Sequence, residues 1–98
     1  MTYFELYKLI QSRYGAAPSN SYVSSLLQSK PDRAIQKVGE EAVEVVIAAK
    51  NTSRKLLIAE ITDLIFHLTV VMVKKNLTWE EIETELDKRS QNSYDPSS

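Results

Sequence analysis

The chain has 98 residues, with 12 Lys and Arg against 13 Asp and Glu, and an apolar share of 43%. That length holds one domain, 1–98, and the near-neutral balance gives no general attraction to nucleic acid or to an anionic membrane. With no cysteine and one histidine, disulfide frames, thiolate nucleophiles and zinc fingers are excluded.

Thr2-x-x-Glu5 opens the first predicted helix as a capping box, and the helix runs to about Arg13 with Phe4, Leu6, Leu9 and Ile10 available for burial. Glycine, proline and asparagine make Tyr14 to Asn20 a loop, after which Ser21 caps a short helix from Tyr22 to Gln28. Ser29-Lys30-Pro31-Asp32 reads as a new start, with proline in the first turn and an acid near the positive end of the dipole. The third helix runs from about Pro31 to Lys50. Asn51 to Ser53 breaks the chain, and a fourth helix follows from about Arg54 to Lys75, closed by Asn76. Thr78-x-x-Glu81 is a second capping box, and the last helix reaches about Arg89. The expectation is a core over 3–89 and a polar tail over 90–98. Two glycines are too few for a turn-rich sandwich or barrel, so the fold class is all-α, a bundle of four to five helices.

The third and fourth helices carry the chemistry. In the third, Ile35, Val38, Ala42, Val45, Val46 and Ala49 form an apolar stripe widened by Val43 and Ile47, which predicts burial on most sides. Inside it sit Glu40, Glu41 and Glu44. At about 100° per residue, Lys37, Glu41 and Glu44 share a face, and the fourth helix repeats the pattern with Glu60, Asp63 and His67. The stretch Leu56 to Val73 is apolar enough to suggest a membrane span. Acids at its centre cost roughly 2.5–3.5 kcal/mol each on insertion, so no membrane segment and no secretory signal are expected, and the cytoplasm is the expected compartment.

Carboxylates three or four apart on a helix repel, and burying one without a partner costs more still. Lys37 and Arg33 supply part of the compensating charge. A divalent cation held by oxygens, Mg2+ or Mn2+, supplies the rest. An antiparallel pairing across the short Asn51 to Ser53 connection brings the two acid pairs face to face. A charge run on a helix is more often a solvated face, but here its neighbours are apolar and a second pair follows on the next helix. His67 is read either as a core histidine or as a group that orients Asp63 or touches a phosphate. Tyr22 and Trp79 read as packing residues. Gly39, mid-helix, costs roughly 1 kcal/mol relative to alanine, which close packing or an approaching ligand would explain.

Ser21-Tyr22, Leu26-Leu27, Arg33-x-x-Gln36-Lys37-Val38-Gly39-Glu40-Glu41-Ala42-x-Glu44 and Ala48, followed by Glu60-x-x-Asp63-Leu64-x-x-His67, resemble the phosphoribosyl-ATP pyrophosphohydrolase family of histidine biosynthesis. The likeness runs from Phe4 to Arg89. Glu-Glu-x-x-Glu with Glu-x-x-Asp marks the wider all-α, MazG-like nucleotide pyrophosphohydrolases, while Lys-Val-Gly-Glu-Glu-Ala and the Ser-Tyr element mark the family. The resemblance implies Mg2+-dependent hydrolysis of phosphoribosyl-ATP to phosphoribosyl-AMP and pyrophosphate by a homodimer. It places metal ligands at Glu41, Glu44, Glu60 and Asp63, and Glu40 as an additional ligand or the residue that activates water; the chemistry of the attack makes Glu40 or Glu41 the catalytic base. Lys37 falls where a cation meets the substrate's phosphates; by charge Arg33 would join it at the leaving pyrophosphate, and His67 would touch a phosphate under the second of its readings. Thr62 and Phe66 depart from the pattern, where a small apolar residue and tyrosine are expected. The cyclohydrolase of the next step is expected as a separate partner, because this chain has neither room nor cysteine for it. Two other readings are a housekeeping nucleoside triphosphate pyrophosphohydrolase and a non-catalytic helical dimerisation module.

Overall fold

The end signals in the chain set the helices. The computed structural model describes residues 1–14, 22–28 and 32–91, and places in them α1 (Tyr3–Arg13), α2 (Tyr22–Gln28), α3 (Arg33–Ala49), α4 (Arg54–Lys74) and α5 (Trp79–Ser90). No strand occurs among the described residues, so the fold is all-α as expected. Both capping boxes form. Thr2 Oγ1 accepts from the Glu5 amide at 3.1 Å while Glu5 accepts from the Thr2 amide at 3.0 Å, and Thr78 and Glu81 repeat the exchange at 3.2 and 2.8 Å. Ser53 caps α4 by accepting from the Leu56 amide. At the other end of α4, Asn76 takes φ 58°, with Asn76 N–H donating to Val73 and Leu77 N–H to Met72. That pair of bonds is a Schellman closure, which asparagine tolerates better than most residues.

α3 begins at Arg33, two residues later than expected, with Asp32 in the cap position and no side-chain cap bond from it. The expected loop over 15–20, the Ser21 cap, the Ser29–Pro31 start and the tail over 92–98 lie outside the described residues.

The core lies at one end of the molecule. Tyr7 and Ile10 of α1, Leu26 and Leu27 of α2, Ala34 of α3 and Val70, Met72 and Val73 of α4 bury one another, with Trp79 packed against them and stacked on Tyr3 at 4.8 Å. Each fully enclosed aliphatic chain there, such as Ile10 or Leu26, contributes on the order of 1.5–3 kcal/mol. Phe4 and Leu9 remain exposed, and Tyr7 takes the burial that the sequence pattern assigned to them. Lys74 ties this end together, its ammonium donating to the Leu26 carbonyl at 3.3 Å.

From this core, α3 and α4 run on as an antiparallel pair. Asp32 and Ile35 share a cavity with Val71 and Lys74, whereas Glu41 lies beside Glu60 and Asp63, so the two helices count in opposite directions. The expectation that α3 is buried on most sides is corrected: only Ala34 and Ala48 are, while Ile35, Val43, Val46 and Ile47 are exposed, Val43 by 57%. Among the described residues α4 is the main helical neighbour of α3, with α2 meeting it in the core, and a two-helix layer covers a single stripe of each helix. By length and composition α4 is apolar enough to cross a membrane, but its inward stripe carries Glu60 against α3.

Candidate active site

Three carboxylates meet where α3 and α4 face each other. Oxygens of Glu41, Glu60 and Asp63 all lie within 4.8 Å of one another, with Glu41 and Glu60 half-buried and Asp63 exposed. The i,i+3 spacing of Glu60 and Asp63 puts both on one side of α4, and the antiparallel pairing brings Glu41 across to them. The repulsion expected of such a group is visible. Burial raises the Glu60 carboxyl above its ordinary range, and the charges of Glu44, Asp63 and Glu41 raise it further. An all-oxygen donor set in which one acid resists ionisation fits a hard divalent cation, whose charge removes the conflict.

Of the other expected ligands, Glu44 is exposed one turn beyond Glu41, near enough to act on Glu60 but outside the three-carboxylate group. Glu40 points to the rim, where it accepts from Gln36 at 3.3 Å. Lys37 bridges the two adjacent glutamates, with its ammonium 3.4 Å from Glu40 Oε2 and 3.4 Å from Glu41 Oε1. Burial alone would lower the Lys37 pKa, but the hydrogen bonds that its ammonium donates to Glu40 and Glu41, with the charge of Glu40, hold it above the ordinary value. Arg33 is exposed on the first turn of α3, about 12 Å along the axis from Glu41.

His67 is buried one turn beyond Asp63. Its Nδ1 lies 2.7 Å from the Asp63 carbonyl and its Nε2 2.8 Å from the Tyr22 hydroxyl, so a phosphate contact would require one of these bonds to break. Sequence reasoning missed Tyr22 as part of this wall. Its ring packs parallel to Phe66 at 6.2 Å and edge-on to His67 at 5.8 Å. Phe66 stands where tyrosine was expected, and the phenol on His67 comes from Tyr22. An apolar cavity of about 310 Å³, lined by Tyr3, Leu6, Thr62, Ile65 and Phe66 among others, contains none of the acids.

The all-helical fold, with Glu41 set beside Glu60 and Asp63 on a helical hairpin, fits the all-α nucleotide pyrophosphohydrolases of the MazG-like class. The profile described as phosphoribosyl-ATP pyrophosphohydrolase matches residues 4–90, and the chain belongs to that family. A phosphoribosyl-ATP pyrophosphatase of Leptospira biflexa is 48% identical over 85 residues, covering 87% of this chain and 92% of that protein. One from Clostridium novyi is 46% identical over 85 residues, covering 87% and 77%. The histidine biosynthesis bifunctional protein HisIE of Caldanaerobacter subterraneus is 44% identical over 85 residues, covering 87% of this chain and 42% of that protein. The chain is thus a hydrolase by family.

Proposed function

We propose that this chain hydrolyses phosphoribosyl-ATP to phosphoribosyl-AMP and pyrophosphate, the second step of histidine biosynthesis, with Mg2+ or Mn2+ as the metal. The observation that carries the reading is the meeting of Glu41, Glu60 and Asp63 across α3 and α4, in a chain of this family. Glu41, Glu60 and Asp63 hold the ion, with Glu44 as a further ligand from the next turn. When bound, the ion neutralises phosphate charge and acidifies water. Glu40 or Glu41 takes the proton of the attacking water as its oxygen bonds to phosphorus and the bridging oxygen between the α and β phosphates leaves with pyrophosphate. Lys37 meets the departing charge, and Arg33 extends the cationic side toward the core. His67, held by Tyr22, backs the Asp63 turn. A cyclohydrolase takes the product.

A homodimer is part of the proposal. Ile35, Gly39, Val43 and Val46 follow one another at four, four and three residues and form one outward stripe of α3, with Ile35, Val43 and Val46 all exposed. Among the described residues, nothing beyond its own helical turn lies within 4 Å of a Cβ placed on Gly39, so packing between those residues does not explain this glycine, whereas a second copy crossing there would. The radius of gyration, 15.5 Å against about 13 Å for a compact chain of 100 residues, also suits a protomer that shares its core. We read the protein as soluble and cytoplasmic, with no nucleic-acid or membrane partner.

The test is a comparison of pyrophosphate release from phosphoribosyl-ATP and from a panel of free nucleoside triphosphates. The proposal expects the higher kcat/KM with phosphoribosyl-ATP. Faster turnover of the free triphosphates would assign the chain to nucleotide housekeeping, and no turnover of either would leave a helical dimerisation module.

A further inference from the structure

Glu41 stands between one cation and two acids. Its side chain is 13% exposed, and it faces the Lys37 ammonium on one side and Glu60 and Asp63 on the other. Glu40, at 51% exposed, holds the same ammonium from the rim. Lys37 precedes both acids on α3, the order in which an i,i+4 pair supports a helix less well, so helix stability is a poor reason for the arrangement. A partly solvated pair at 3.4 Å is also weak enough to be exchanged.

We infer that Lys37 is the counter-cation of the metal-free site, and that an ion bound at Glu41 displaces its ammonium toward the polyphosphate. The inference rests on the reading of Glu41, Glu60 and Asp63 as the ion's ligands. It makes Lys37 a competitor of the bare ion and a helper of the ion with nucleotide, because the positive charge that repels the one attracts the other. Glu40 serves as the pivot that keeps the ammonium at the rim while Glu41 changes partner. By reciprocity, the ion and the polyphosphate then bind more tightly together than apart, and part of that coupling belongs to Lys37. A Lys37 that merely positions Glu41 gives the opposite sign, since its removal would loosen a ligand and weaken the ion.

The test is calorimetric titration of the full chain with MnCl2, with and without α,β-methylene-ATP, for the wild type, Lys37→Met, Lys37→Gln and Lys37→Arg. Both uncharged variants are expected to bind bare Mn2+ about three- to tenfold more tightly than the wild type, the size of removing one unit charge near a divalent ion in a solvated site. Lys37→Arg keeps the wild-type affinity. The analogue tightens Mn2+ in the wild type and does so less in Lys37→Met and Lys37→Gln. Equal or weaker Mn2+ binding by folded uncharged variants would overturn the inference while leaving the ion site standing. A wild type that takes up no Mn2+ in either condition would overturn both.

Discussion

The Tyr22 hydroxyl and His67 Nε2 lie 2.8 Å apart and join α2 to α4 one turn from Asp63. The direction of the bond follows from the other ring nitrogen. His67 Nδ1 faces the Asp63 carbonyl, which only accepts, so in the neutral ring Nδ1 carries the proton, Nε2 accepts and Tyr22 donates. His67 is 5% exposed, so loss of the phenol strands a buried acceptor. Tyr22→Phe is expected to cost roughly 1–3 kcal/mol, read as a lower urea midpoint with an unchanged slope. An unchanged midpoint would mean that water replaces the phenol and that α2 is held by packing alone.

Glu60 gives a pH dependence whose sign is set by the metal. Its carboxyl is raised in the folded chain by burial and then by the charges of Glu44, Asp63 and Glu41. The folded state therefore holds this proton more tightly than the unfolded chain. Without metal, its contribution is full below the ordinary glutamate range and is lost as pH rises through the raised value. Saturating Mg2+ opposes that loss, because the ion binds the ionised form. Thermal melts across this range should show the metal-free wild type losing stability as pH rises, and Glu60→Gln losing less. At neutral pH the metal-free variant should melt higher than the wild type and show no Mg2+-dependent shift. A Glu60→Gln protein that melts lower without metal would contradict the repulsion.

Val43 separates a lone protomer from a pair. Exposed at 57%, it should tolerate glutamate within about 0.5 kcal/mol if the chain works alone. In a dimer packed through the α3 stripe, Val43→Glu places two charges in an apolar seam. Sedimentation should then show the wild type as a dimer and the variant as a monomer, with a lower melting temperature. Gly39→Ala offers the opposite signs: a gain of about 0.5–1 kcal/mol in a lone helix, and a weaker dimer where two backbones approach.

Much of this was legible before any coordinates. Thr2 and Thr78 cap as their spacing predicts, Asn76 closes α4 with φ 58°, and the acids of α3 and α4 meet because a short connection forces the helices antiparallel. Such features depend on neighbours within a few residues, or on helical periodicity. What stayed hidden depends on contacts between distant segments. Tyr22 and His67 are 45 residues apart, and no local pattern announces that a phenol reaches an imidazole. The exposure of Val43, Val46 and Ile47 was misread for a related reason: an apolar stripe states that a surface must be covered, without saying whether this chain or another covers it. Periodicity put Lys37 on the acid face, and its place between Glu40 and Glu41 needed the side chains themselves.

The most direct measurement is the product of phosphoribosyl-ATP followed by phosphorus NMR, with Mg2+ and with chelator, for the wild type and Glu41→Gln. The account predicts phosphoribosyl-AMP and pyrophosphate in equal amounts from the wild type with Mg2+, none with chelator, and a loss of at least about 10²-fold in Glu41→Gln. Orthophosphate as the product, or turnover that survives both the chelator and the substitution, would contradict it.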